Sequence, residues 1–299
     1  MSVRNAIITP VDLLNKYAVL GDMHLLLSHL IPLYQEEAAG YDQEYEGPFD
    51  EKIEGDPLLT KREQYTRFYA RCKEFKVLDN GLFENGVAED TIALILKAQK
   101  VGADAIVAPD VLRDGVATYE SSAKFASALK YSNFGANVMG VPQGNSVSDY
   151  VACYTKMVQD PNIHMIGLSI LGCVDAFKEF TGTDSIHLNR VFAVNYLLST
   201  GVFDHSKWHH LLGLGDHPGE VGYYQHVRAI RSNDSSSPII HGMRDILYTE
   251  DGILEQGKVE AKMDFFGDYE LSDHHDATVL HNIAILHKLA KGATYAAQP

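Results

Sequence analysis

Phe75-Lys76-Val77-Leu78-Asp79-Asn80-Gly81 is a short run of strand length that ends in an acidic turn carrying glycine. A helix is expected next, over 88–101. Ile92, Ile95, Leu96 and Gln99 fall there at helical spacing, and Gly102 supplies the stop. The same order of elements then recurs. Ala105-Ile106-Val107-Ala108 runs into Pro109-Asp110, before a helix over about 118–131. Asn137-Val138-Met139-Gly140-Val141 runs into Pro142-Gln143-Gly144, before a helix over 147–158. Strands alternating with helices bury both strand faces and imply parallel βαβ units.

Outward from this core the alternation continues. Upstream, Tyr17-Ala18-Val19-Leu20-Gly21 reads as a first buried strand, and 23–34 as a helix or loop beneath the sheet. Residues 35–57 hold nine acids against the single base Lys52 from Glu36 to Asp56, and read as a surface insertion. Residues 58–74 carry Tyr65, Phe68, Tyr69 and Cys72 on one helical stripe. Downstream come a strand over 164–170, a helix over 187–200 closed by Gly201, a strand over 210–215 and a short helix over 218–226. Ala229-Ile230-Arg231 then feeds a turn, Ser232-Asn233-Asp234-Ser235-Ser236-Ser237-Pro238. Residues 252–276 are polar and irregular, and a last helix is expected over 278–291. This makes seven strands, with an eighth expected near the C-terminal helix. Length and count favour an α/β fold, a (β/α)8 TIM barrel with insertions, as one domain over 1–299. The runner-up is an open doubly wound sheet. It lacks a GxGxxG turn after the first strand, and no GxxxxGK[ST] is present.

Composition narrows the function classes. No apolar run approaches the roughly 20 residues of a membrane span. Three widely spaced cysteines, Cys72, Cys153 and Cys173, argue against a disulfide framework and for a reducing, cytoplasmic setting. With no CxxC pair there is no Cys-rich zinc subdomain. The net charge of −15 weighs against a nucleic-acid partner. The charge is uneven, however, and Lys61, Arg62, Arg67, Arg71, Lys73 and Lys76 cluster within one segment.

In a barrel, the residues at the C-terminal strand ends share one mouth. Those ends are Asp79-Asn80-Gly81, Asp110, Gln143-Gly144, Gly167-Leu168, Gly213-Leu214-Gly215 and Asp234. Taken singly, Asp79 can open a turn, Asp110 can cap a helix, Gln143 can be solvated, and Asp234 can be a turn aspartate. Three acids crowded at one mouth repel one another, a cost that makes sense where a site needs them. An Asp and a Gln together can read the edge of a purine-like base. Two further carboxylates, one nucleophile and one acid/base, suit displacement at a sugar anomeric carbon. Neither a metal nor a nicotinamide is required.

The strand ends resemble those of the tRNA-guanine transglycosylase superfamily. Leu78-Asp79-Asn80-Gly81-Leu82-Phe83-Glu84 is similar to its Asp-Ser-Gly-Gly-Phe-Gln turn, and Ala108-Pro109-Asp110 falls where the family has its base-reading aspartate. Val141-Pro142-Gln143-Gly144 resembles Val-Gln-Gly-Gly, Ile166-Gly167-Leu168-Ser169 its Gly-Gly-Leu segment, and His210 to Gly215 its Tyr-Leu-Met-Gly-Val-Gly. Ser232-Asn233-Asp234 matches the segment of the nucleophilic aspartate, and Leu280-His281-Asn282 resembles Ile-His-Asn. The resemblance implies base exchange, with Asp234 as nucleophile and Asp79 as general acid/base. The base would be held by Asp110, Gln143, Gly144, Gly167 and Leu168, with Asn80, Gly81, Phe83 and Asn233 beside them. The family's zinc module is missing, so no cofactor is expected. His281 with His274 or His275 is the remaining metal candidate. These departures make the chain look most like the phage and bacterial branch that exchanges guanine in DNA for a 7-deazaguanine. A tRNA substrate, or a non-catalytic base-binding partner subunit, is the alternative. Phosphate contacts are expected from Arg231, Arg244, Lys207 and Arg228.

Overall fold

The computed structural model describes residues 3–35, 48–53, 55–215, 217–254 and 263–292. Its eight strands are β1 Arg4–Ile7, β2 His24–Leu27, β3 Lys76–Asp79, β4 Ala105–Val107, β5 Asn137–Gly140, β6 Met165–Ser169, β7 Trp208–Leu212 and β8 Ile230–Ser235. They form one parallel sheet in the order β1-β8-β7-β6-β5-β4-β3-β2. A parallel bridge from Ala6 to Met23 brings β1 back to the start of β2 and nearly closes the barrel. The fold is therefore a (β/α)8 barrel, and all strand C-termini open on one face.

Helices α1 Pro57–Arg71, α2 Thr91–Val101, α3 Gly115–Tyr131, α4 Val147–Gln159, α5 Ile170–Thr181, α6 Ile186–Ser199, α7 Ser237–Gly242 and α8 Asp273–Ala290 lie between the strands or close the chain. Their starts are written locally. The Asp56 side chain accepts the Leu58 N–H with Pro57 in the first turn, Asp90 accepts from Ile92 and Ala93, Asp114 from Ala117, and Ser272 from His275. Gly102 ends α2 at φ 62°, where a side chain would be strained. The main core runs through barrel and helices, with two small clusters beside it, around Tyr248 and around Leu33. It holds Leu26, Val77, Ile106, Met139, Ile166 and Leu211 on the strands, and Leu94, Phe125, Tyr154 and Leu286 on the helices.

Three expectations differ from this structure. Residues 17–21 are not a strand but the end of a short helical segment, Leu14–Tyr17 followed by Ala18–Leu20. Val19 and Leu20 are exposed there, whereas a barrel strand buries both faces. The strand in that place is β2, inside the stretch read as helix or loop. The eighth strand is not near the C-terminal helix. It is β1, at the other end of the chain, paired through Ala6 to Asp234. Its polar Asn5 is buried because Asn233 Nδ2 donates to its Oδ1 at 2.7 Å and the His287 ring meets its Nδ2 at 3.0 Å. Asp234 also lies inside β8 rather than in a turn.

Of the 35–57 insertion, 36–47 and 54 lie outside the described residues, as do 255–262 of the excursion. The described part of the insertion docks on the barrel. Asp50 bonds the Leu33 N–H and the Arg62 guanidinium, and Phe49 packs by Leu33 and Ala93. Among the described residues no helix is long and apolar enough to cross a membrane.

Candidate active site

Alternation along β7 and β8 decides what enters the barrel. Trp208, His210 and Leu212 point one way on β7, as do Ser232 and Asp234 on β8. Trp208 Nε1–H donates to Ser232 Oγ at 2.8 Å, and His210 Nδ1 meets the same oxygen at 2.7 Å. Indole only donates and a carboxylate only accepts, so a neutral His210 takes the Ser232 hydroxyl proton at Nδ1 and presents its own N–H at Nε2. His210 then carries its proton on Nε2 and donates it to Asp234 Oδ1 at 3.0 Å. The Gly213 N–H donates to that same Oδ1 at 3.0 Å. Both donors hold one carboxylate oxygen and leave Oδ2 for the mouth. Gly213 sits at φ 69°, the left-handed turn that aims its N–H back at β8.

Asp79 ends β3 and is half-buried. Its Oδ2 accepts the Gly81 N–H at 3.0 Å. Its carboxyl is pushed up to about 8, first by desolvation and then by the Glu84 charge, with Asp234 and Asp110 adding to the rise against the Gly81 bond. The group that most resists ionisation at the mouth therefore lies within electrostatic reach of Asp234. Glu84, on the one-turn helix Leu82–Asn85, is raised by partial desolvation and then by Asp234, although its side chain stays exposed at the rim.

Asp110, after β4, is clamped from both sides. Asn80 Nδ2 donates to its Oδ1 at 2.7 Å, and Gln143 Nε2 donates to its Oδ2 at 2.6 Å. Desolvation raises it to about 6, and the two amides pull it back down. Each oxygen keeps a lone pair for an incoming N–H. Gln143 is buried, and its Oε1 has no protein partner. Asn80 also bonds the Ala108 carbonyl and the Leu82 N–H, so it positions Asp110 and the Asp79 turn together. Gly144 has no room for a side chain, since a Cβ would stand 2.4 Å from the Tyr150 nitrogen.

Arg190, with no exposed surface, ties the next two strand ends together. Its Nη1 donates to the carbonyls of Leu168 at 3.0 Å and Leu212 at 2.9 Å, while Nε and Nη2 grip both Glu220 oxygens at 2.7 and 2.6 Å. Tyr224 O–H donates to Glu220 Oε1 at 2.7 Å.

The structure thus gathers Asp79, Asn80, Gly81, Asp110, Gln143, Gly144 and Asp234 at one mouth, with Phe83 exposed on its rim. It sends other candidates elsewhere. Gly167 faces the packed barrel interior, where a Cβ would meet Leu212 and Val141, and the Leu168 carbonyl is taken by Arg190. Asn233 is not at the mouth, because it alternates with Asp234 and faces Asn5 on the outer side of the sheet. Lys207, Arg228 and Arg231 precede or begin β7 and β8, so they lie toward the face opposite the mouth. Lys207 is engaged there with the Asp160 and Ile163 carbonyls. Arg244, after α7, is exposed. His281 bonds the Tyr248 carbonyl at 2.8 Å, while His274 and His275 face Asp245.

Reading strand ends alone misses His210, Glu84 and the Arg190–Glu220 pair. His210 carries a signal, since a polar residue at an inward strand position needs a partner. The pairing of Arg190 with Glu220 joins residues 30 apart and has no local signature. Two cavities stand apart from the carboxylates. One, of about 700 Å³, lies between α1 and 11–19, and the other, of about 360 Å³, is lined by His29, Arg62, Asn85 and Lys97. No family model matches the chain, and no curated protein matches it.

Proposed function

We propose that this protein is a base-exchange transglycosylase that replaces guanine in DNA with a 7-deazaguanine through a covalent Asp234–glycosyl intermediate. The observation that carries the reading is the contrast between two carboxylates at one mouth. Asp79 is pushed toward its neutral form at neutral pH, whereas Asp234 is held by a backbone N–H and an imidazole N–H with one oxygen left over. Two acids whose environments differ in this way divide into a proton donor and a nucleophile.

In the reaction, an Asp234 carboxylate oxygen attacks C1′ of the deoxyguanosine. The C1′–N9 bond breaks, and the departing guanine takes the Asp79 proton. The incoming base then gives its N9 proton back to Asp79, its nitrogen attacks C1′, and the ester to Asp234 breaks. Two inversions retain the configuration, and no redox step or metal enters. The Asp110 carboxylate accepts from the Watson–Crick N–H groups of each base, and the free N–H of the Gln143 amide donates to its carbonyl oxygen. In a duplex the nucleotide leaves the stack first. Exposed Phe83, Val87 and Val111 around Asp79 and Asp110 offer apolar surface to the flanking bases.

The test is to incubate the purified protein with labelled guanine and either duplex DNA or tRNA. Label in DNA is expected, and absent from an Asp79→Asn variant. Label in tRNA alone would overturn the choice of polymer. Label in neither, despite saturable base binding, would overturn the enzyme reading.

A further inference from the structure

We propose a second site, at the opposite end of the barrel from the mouth, in which His24, Cys72 and Glu74 bind a divalent zinc-class cation. One ring nitrogen of His24, the sulfur of Cys72 and a carboxylate oxygen of Glu74 offer one donor per residue, and these three atoms all lie within 4.8 Å of one another. His24 opens β2, while Cys72 and Glu74 follow α1. The site joins two segments of chain, the start of β2 and the connection from α1 to β3, that the fold brings together.

His24 supplies the second observation. It is 2% exposed, yet neither ring nitrogen has a hydrogen-bond partner. A buried imidazole left unbonded is destabilising, because it has given up its bonds to water without replacement. Its Nε2 points at Glu74 Oε2 across 3.5 Å, longer than a hydrogen bond. Tyr69 and Phe68 pack edge-on against the ring and leave it no other partner.

The donor set is the one zinc favours: imidazole nitrogen, thiolate sulfur and carboxylate oxygen at about 2.0–2.3 Å. Those bond lengths place tetrahedral donors about 3.3–3.8 Å apart, so the cluster needs only a small contraction. Glu74, whose side chain is 51% exposed, can supply it. Three protein donors leave a fourth position for water. The groove between α1 and 11–19 gives access, because Phe68, Arg71 and Cys72 line it. Binding displaces the Cys72 thiol proton to water and the weak Sγ contact to the Phe68 carbonyl at 3.4 Å. The Lys76 ammonium opposes the site and is tethered to the carbonyls of Tyr69, Cys72 and Val101, while Arg71 and Lys73 flank Cys72 in sequence with exposed side chains.

The experiment titrates Co²⁺, and then Zn²⁺ in competition, into the reduced full-length protein. One equivalent of Co²⁺ is expected to produce a thiolate-to-cobalt charge-transfer band that zinc bleaches. Cys72→Ser removes the band, and Glu74→Gln weakens cobalt affinity by about 10-fold or more while the thermal midpoint without metal stays within a degree or two of wild type. Zinc raises the thermal midpoint of wild type but not of Cys72→Ser. A wild-type protein without the band, or a band that survives in Cys72→Ser, overturns the proposal. Because both substituted side chains are at least partly exposed, loss of folding does not explain a negative result. A normal circular dichroism spectrum of each variant checks that directly.

Discussion

Replacing Asp79 by Asn tests the electrostatics of the mouth without touching its shape. The amide still accepts the Gly81 N–H, but it cannot ionise. In the folded protein Asp79 titrates near 8, whereas its ordinary value is 3.8. The folded state therefore keeps a proton that the unfolded chain has lost between those two values. Stability supplied by the neutral carboxyl is fully present below the unfolded value, falls as pH rises through the window, and levels off above about 8. One proton corresponds to about 1.4 kcal/mol per pH unit, or ~5–6 kcal/mol over the whole window. Asp79 is only half-buried, and solvent at the mouth screens it, so about half of that, ~2–3 kcal/mol, is the expected span. Asp110, raised to about 6, titrates in both proteins and cancels to first order in the difference. Urea unfolding of wild type and Asp79→Asn from pH 5 to 9 measures it. The variant is expected to gain on wild type steadily up to about pH 8 and then hold its lead. A difference independent of pH would refute the claim that Asp79 is held neutral by its surroundings.

Arg190→Met leaves Glu220 buried and unpaired and frees the Leu168 and Leu212 carbonyls. A loss of about 3–5 kcal/mol in urea unfolding is expected, with the Glu220→Gln variant less affected. Gln143→Leu removes one of the two amides that hold the buried Asp110, so guanine binding measured by calorimetry should weaken about 10-fold or more, with a folding cost of about 1–3 kcal/mol in urea unfolding. Arg228→Glu alters an exposed charge on the far face, and DNA affinity at low salt should stay within about two-fold of wild type; a larger loss would place the DNA path over that face.

Most strand ends were legible because they stand where an apolar run stops. Asp79, Asp110 and Gln143 each follow such a run, and parallel βαβ order brings them together whatever the loop lengths, whereas Asp234 comes after the polar Arg231-Ser232-Asn233 and was read as a turn residue although it lies inside β8. β1 was not legible. Arg4-Asn5-Ala6-Ile7 has two polar residues in four, and its burial depends on Asn233 and His287, more than 200 residues away in sequence. The apolar run 17–21 was misread because hydropathy cannot tell a buried strand from a short helix with one exposed side. Asn233 and Arg231 were assigned to the mouth by nearness in sequence to Asp234. In a strand, however, neighbours face opposite ways, and Arg231 lies three residues, about 10 Å, toward the other end. The cations taken as phosphate contacts show the same limit, because sequence adjacency does not say which end of a barrel a residue occupies. Of the basic cluster, Arg62 and Lys61 are paired with Asp50 and Asp268, while Arg67, Arg71 and Lys73 stay exposed.

The central claim is that Asp234 forms a bond to the sugar. Wild-type protein and Asp234→Asn can be mixed with guanine-containing duplex DNA, quenched in acid, and resolved by denaturing gel and intact mass. Wild type is expected to show a protein–DNA species whose linkage maps to the peptide holding Asp234, and which disappears when a 7-deazaguanine base is added before the quench. Asp234→Asn is expected to show none, with free-base binding retained. An adduct of equal yield in Asp234→Asn, or one that maps to another residue, would contradict the account.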